Sequence, residues 1–381
     1  MRERLRMLLM PTIAPGDAVA FRQRPEGTVE GAFPRRLAPN ITPPYKFAYA
    51  RTALKYGLKS LGFRRGEALL VPEFVCDVLI EPLEALGVEP QYYPVSVTLE
   101  PDWHQLERLV TKRSRALLVV HYFGQPQPVS RCLEFCREHS LLFIEDNAHG
   151  FGGTFAGQLL GTFGDAGVSS PRKSFSIPNG AYLHVKNDMK TSMNTLQLEP
   201  SALSPRQYYL NAWFKKMPLI EAALNCRARI IEYRRRLEPP KPYGSQEAFR
   251  GPPLRDEYGM DESTELFLKR QDIERIRHVR QRIYRLWQQW TSAQGLNPVF
   301  PSLAPGAIPL VFPAFADSAA SSREWYERGH RAGIDIYSWP TLPQSVVERN
   351  GGAMRLWERL LCFPIHQEMR VGLLQKRLAV L

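Results

Sequence analysis

Long apolar runs are missing from this chain. Nothing in its 381 residues approaches the roughly 18 consecutive apolar positions that a membrane-spanning helix requires. The arginine-bearing start offers only Met7 to Met10 as an apolar core before Pro11, too little for a secretory leader. Cysteine is scarce: Cys76, Cys132, Cys136, Cys226 and Cys362 are odd in number and contain no CxxC pair. They do not make a disulfide framework, so the expected compartment is a reducing cytoplasm. Cys132 and Cys136 stand four apart on an expected helix, but no His or Cys partner is close by, which favours core packing over a metal site. Helix-turn-helix, zinc-finger and aromatic RNA-binding signatures are absent, and no internal repeat is evident. The formal charge of +12 therefore does not by itself imply nucleic acid.

What is present is ordinary globular composition, 44% hydrophobic and 23% charged, in a chain long enough for one large domain and a smaller one. The arginines concentrate around Arg227 to Arg236 and along Arg270 to Arg285, both with apolar residues at helical spacing. Solvated helix faces are the expectation there. The alternative is attraction of an acidic partner, such as a nucleotide diphosphate or an anionic membrane surface.

Residues 1–45 are rich in proline and arginine and read as an N-terminal extension. From Ala50 short apolar runs alternate with helical periodicity. Helices are expected at Leu54 to Leu61, Val75 to Leu86 and Val129 to His139. Strands are expected at Ala68 to Val71, Pro90 to Tyr93, Ala116 to Val120 and Leu141 to Ile144. That rhythm predicts an α/β fold with a mainly parallel sheet covered by helices on both faces, and ligands at the C-terminal ends of its strands. The large domain is placed at 46–260, with an insertion-like segment at 190–257. A long helix from about Ser263 to Ala293 and a small C-terminal α+β domain fill 261–381, with a strand at Pro309 to Phe312 and a helix at Ser321 to Ala332 stopped by Gly333.

The chemistry concentrates in LLFIEDNAHGFGG, Leu141 to Gly153, and GTFGDAGVSSPRKS, Gly161 to Ser174. An apolar strand delivers Glu145 and Asp146 at its end, and Lys173 follows on a later loop behind Ser169, Ser170 and Pro171. An acid that keeps a pyridinium nitrogen protonated, with a lysine that forms a Schiff base, suits pyridoxal 5'-phosphate chemistry. Glu145 falls on the opposite face of the strand and is not expected to share the role of Asp146.

These pieces resemble the DegT/DnrJ/EryC1/StrS aminotransferases, pyridoxal phosphate enzymes of fold type I. ARTAL (Ala50 to Leu54) matches the family's GTAAL turn, VPEF (Val71 to Phe74) its VPSY-type segment, and VHYFGQP (Val120 to Pro126) its VHLYGQP. IEDNAH (Ile144 to His149) is similar to IEDAAQ, GTFGDAG (Gly161 to Gly167) matches almost letter for letter, and SSPRK parallels SFHPTK with two residues fewer. The resemblance implies catalytic roles for Lys173, as the Schiff-base and proton-moving lysine, and for Asp146, as the pyridinium partner. It places Arg51, Thr52, Ala53 and Ser170, with Ser169 as fallback, on the cofactor phosphate, and His149 beside the cofactor's phenolic oxygen. Cys76 falls where an aromatic side chain usually stacks on the cofactor ring. His366, in LCFPIH near the active-site mouth, is a candidate substrate contact. The implied partners are an amino-acid donor, glutamate by resemblance, a keto-sugar acceptor, and a second copy of the chain in a homodimer.

Three departures stand out. A cysteine replaces the stacking ring, SIPNGA (Ser176 to Ala181) replaces TTGEGG, and EYGM (Glu257 to Met260) is the best match to NYRM but lacks its asparagine and arginine. They leave open a non-catalytic relative in a polysaccharide pathway. A sugar dehydratase is the other alternative, against which the retained Lys173 argues.

Overall fold

A computed structural model describes residues 44–186 and 258–381, apart from 340, 370 and 380, and only isolated positions between 187 and 257. The insertion-like segment at 190–257 and the arginines at Arg227 to Arg236 thus lie outside the described residues.

The β-strands are β1 Tyr45–Phe47, β2 Ala68–Pro72, β3 Glu89–Tyr93, β4 Ser114–Val120, β5 Leu142–Asn147, β6 Thr154–Phe155, β7 Gln158–Leu159, β8 Ala166–Ser169, β9 Ala181–Val185, β10 Asn297–Pro298, β11 Val311–Phe315 and β12 Leu360–Pro364. Seven of them form one sheet in the order β1-β9-β8-β5-β4-β2-β3. The five strands from β8 to β3 run parallel, and β9 and β1 add an antiparallel edge. Ala68 to Val71 of β2 and Ala116 to Val120 of β4 are apolar throughout because both faces are covered. Leu69 and Val71 join the core on one face and Leu70 the other; Leu118 and Val120 alternate with Leu117 and Val119 in the same way. The helix Ala50–Ser60 closes the first face with Leu54 and Leu58, and Val129–Glu138 closes the second with Val129 and Phe135. Cys132 and Cys136 are packed into that second core.

A second sheet, β10-β11-β12, is antiparallel. Against it lie the helices Ile273–Ala293, Ala319–Ala332 and Val371–Leu378, whose Trp287, Trp325 and Leu374 share a core with Phe312 and Phe363. The helix Ala319–Ala332 stops at Gly333 in the left-handed region (φ 71), as its sequence implies.

Two expected helices are divided. Val75 to Leu86 holds a single turn at Asp77–Leu79 and a helix at Glu81–Leu86. The Asp77 N–H is drawn away to Thr341 O at 2.8 Å, and Pro82 is tolerated only in the first turn of a helix. Ser263 to Ala293 is likewise two helices, Glu262–Lys269 and Ile273–Ala293, because the Asp272 carboxylate accepts from Arg275 N and caps a new start. Strands β8 and β9 are short and follow no clear apolar period, which left them unread in the sequence. At β8 the backbone approaches so closely that a Cβ on Gly167 would sit 2.1 Å from Gly161 O, so only glycine fits.

Candidate active site

The parallel strands end around a cavity of about 310 Å³. Cys76 enters it beyond β2, Tyr122 beyond β4, Asp146 and His149 from the end of β5, and Ser170 and Lys173 beyond β8. Ala50 and Arg51 open the helix at one wall, while Leu310, Tyr337, Trp339 and Thr341 come from the C-terminal part of the chain.

Asp146 and Lys173 are electrostatically coupled. Both are enclosed deeply enough that burial pushes the carboxyl above its usual range and the amine below its own. On each, the largest influence opposing burial is the charge of the other. Asp146 also accepts the Ala148 N–H at 2.8 Å, which fixes its carboxylate at the strand end. Lys173 sits in the turn Pro171–Lys173, and its Nζ lies 4.5 Å from the centre of the Trp339 ring.

Glu145 points to the other face. Its carboxylate, fully buried, accepts from Gly161 N (2.9 Å), Phe163 N (2.6 Å) and Gly164 N (2.7 Å), and lies 3.0 Å from His121 Nε2. It thereby holds the GTFGDAG loop that leads to Lys173. Glu145→Gln turns one acceptor into a donor facing N–H groups. Urea unfolding should record a loss of about 3 kcal/mol; an unchanged midpoint would remove this bracing role.

His149 is buried, and its Nδ1 accepts the Phe123 N–H at 3.0 Å. That bond leaves the proton on Nε2. Burial first, then the charges of Lys173 and His121, hold the imidazole well below its usual pKa, so it is neutral at physiological pH. Phe123 donates this bond from the left-handed region (φ 54), and its own carbonyl accepts from Leu310 N at 2.8 Å. An unusual backbone state is thus pinned from two sides next to the cavity.

The other sequence candidates divide. Ser170 is buried at the wall, and Cys76 keeps a neutral thiol, pushed up to about 11 by burial. Arg51 pairs with Glu81 at 3.1 Å, and the guanidinium groups of Arg51 and Arg172 approach the Tyr49 ring at 5.6 and 5.0 Å. Thr52 and Ala53 are fully buried in the helix behind Arg51, and neither they nor His366 line the cavity. Of EYGM, Tyr258 O accepts from Ala48 N at 2.9 Å and Gly259 pairs with Phe47, so the segment lies along β1; Glu257 is outside the described residues.

Two residues that the sequence reading did not single out also matter here. Trp339 is one. Arg280 is the other, and it corrects the expectation of a solvated arginine face, being only 1% exposed. Its guanidinium donates to Ser174 O (3.1 Å), Pro309 O (2.9 Å) and Gln367 Oε1 (3.0 and 2.8 Å), and Gln367 Nε2 donates to the same Ser174 carbonyl at 3.1 Å. Burial lowers its pKa to about 10, so it remains charged at neutral pH. The pair ties the residue after Lys173 to the long C-terminal helix. No short-range sequence signal marks either residue, because their partners are distant in the chain.

His184, on β9, provides a pH test of the fold. Burial lowers its pKa from 6.5 to about 4, so the unfolded chain takes up a proton that the folded one refuses. Its contribution is complete above pH 6.5 and is lost as pH falls toward 4. Between pH 7 and pH 5 this amounts to about 2 kcal/mol. Urea titrations of wild type and His184→Asn should show that pH dependence reduced in the variant, and identical dependence would contradict the assignment.

Residues 46–226 match the DegT/DnrJ/EryC1/StrS aminotransferase family. Over that stretch, just under half of its length, the chain is similar to the family. GDP-perosamine synthase of Vibrio cholerae is 29% identical over 129 residues, 34% of this chain and 35% of its own length. The GDP-perosamine synthase of Caulobacter vibrioides is 29% identical over 186 residues, 45% and 48% of the two chains. The chain thus matches between about a third and a half of these relatives' length. In fold the likeness is wider. The Helicobacter pylori aminotransferase PseC, involved in pseudoaminic acid biosynthesis, superposes with a TM-score of 0.70 at 15% identity, covering 97% of this chain and 96% of its own. The aminotransferase TlmJ of Streptoalloteichus hindustanus gives 0.66 at 19%, over 97% and 96%. The fold is therefore the type I fold of these aminotransferases.

Proposed function

We propose that this chain is a pyridoxal phosphate-dependent aminotransferase, moving an amino group from glutamate to a nucleotide-linked keto sugar. The observation that carries the reading is the meeting of Asp146 and Lys173 in one enclosed cavity beyond the ends of the parallel strands. Relatives named for perosamine, UDP-amino-sugar and pseudoaminic acid synthesis support the substrate class. A neighbour from Streptococcus pneumoniae solved in PLP and PMP forms supports the cofactor.

The residues present fit that cofactor. An amine whose pKa burial lowers stands in an enclosed cavity with a carboxylate, and a helix without a side-chain cap begins at its wall. Lys173 would hold the cofactor and Asp146 its ring nitrogen. Ser170 and Arg51 at the cavity wall would take the phosphate, whereas Thr52 and Ala53 lie behind it, and His149 would donate from Nε2. When bound, the cofactor supplies an electron sink for the donor carbon. Lys173 is the proton carrier, because burial lowers its pKa toward the range in which an amine can both accept and release a proton. Asp146 shares the cavity with it, and its carboxylate would stabilise positive charge there.

A cytoplasmic homodimer is part of this proposal; among the described residues no helix is long and apolar enough to cross a membrane. The test is incubation with isotopically labelled glutamate and a panel of nucleotide-linked keto sugars. Labelled amino sugar is the expected product. Its absence, with the cofactor bound but unreacted toward every amino donor, would instead support a non-catalytic binder, the reading that Cys76 motivates.

A further inference from the structure

Position 76 offers no flat ring to the cavity, yet an indole stands beside it. Tyr337, Ser338 and Thr341 are each held in place. Tyr337 exchanges backbone hydrogen bonds with Cys362 of β12, Ser338 Oγ donates to Trp357 O at 2.6 Å, and Thr341 O accepts the N–H of Asp77 at 2.8 Å. That last bond lays the segment directly against the residue after Cys76. Trp339, two positions before Thr341, lines the same cavity as Cys76. Its ring centre is 4.5 Å from Lys173 Nζ and 4.2 Å from the His149 ring. Of the other aromatic side chains at the wall, Tyr122 donates its hydroxyl to Phe74 O and packs edge-on against the Phe74 ring, and Tyr49 is approached by the guanidinium groups of Arg51 and Arg172.

We propose that Trp339 supplies the aromatic wall of the cofactor pocket, taking over the task from the side chain at position 76. A π-face carried on a segment pinned at both ends presents a fixed stacking surface, and stacking favours a flat heteroaromatic ring. Trp339 thus acts as a positioning residue that joins the C-terminal part of the chain to the chemistry of Lys173. This inference rests on the pyridoxal phosphate reading.

The experiment is titration of the cofactor-stripped full chain with pyridoxal phosphate, followed by visible absorbance and induced circular dichroism. Trp339→Ala should weaken binding about tenfold and diminish the induced signal, while Trp339→Phe should stay close to wild type. Adding Cys76→Phe to the Trp339→Ala chain should restore binding and signal, which a merely structural role for Trp339 would not allow. Thermal unfolding of the cofactor-free variants separates misfolding from lost stacking. Wild-type affinity and signal in Trp339→Ala would overturn the inference alone, as would failure of the added phenylalanine to restore binding in a folded protein. A wild-type chain that binds no pyridoxal phosphate would overturn the inference together with the functional reading beneath it.

Discussion

Lys173→Ala should abolish turnover, with a loss of roughly a thousandfold or more, and should leave no site for covalent cofactor attachment. The reason is positional. Lys173 is the amine that shares the cavity with Asp146, and the enclosure lowers its pKa from the ordinary lysine value. The nearest other cation at the wall, Arg172, has a guanidinium that does not deprotonate and is turned toward Tyr49. Turnover with the donor and acceptor of the wild type is the measurement, with borohydride reduction and mass analysis beside it. Full activity in the variant would remove Lys173 from its proposed role.

Asp146→Asn should have the second largest effect, a fall in turnover on the order of a hundredfold together with weaker cofactor retention. The carboxylate is held by Ala148 N–H and is the largest influence raising the Lys173 pKa against burial. Removing its charge should therefore lower the lysine's pKa further and leave a ring nitrogen without an anionic partner. Steady-state rates across pH read both consequences at once. An unchanged rate with an unmoved pH profile would show that Asp146 only caps the strand end.

The sequence made the strand-and-loop part of this arrangement legible. The apolar run before Glu145 and Asp146 could be read as a buried strand, and strict alternation put the two carboxylates on opposite faces. The structure brings Cys76, Asp146, His149, Ser170 and Lys173 to one cavity from segments whose motifs stand in close sequence order. What escaped the reading depends on contacts across the chain. Trp339 and Arg280 acquire their places only when the C-terminal part folds back onto the lysine loop, and no local period encodes that. Arg280 sits among arginines that do read as a solvated face, and only its bonds to three distant groups show that it is inside. The division of Val75 to Leu86 was within reach of local rules through Pro82. The pull of Thr341 O on Asp77 was not.

The central claim is that this cavity holds pyridoxal phosphate on Lys173 and accepts an amino group from a donor. The most direct measurement is the visible spectrum of the purified protein, with borohydride added to one sample and glutamate to another. A yellow protein, bleached by glutamate and fixed by borohydride as a pyridoxyl group on the peptide carrying Lys173, is the expected result. A colourless protein that takes up no added pyridoxal phosphate would contradict the account and leave only the fold standing.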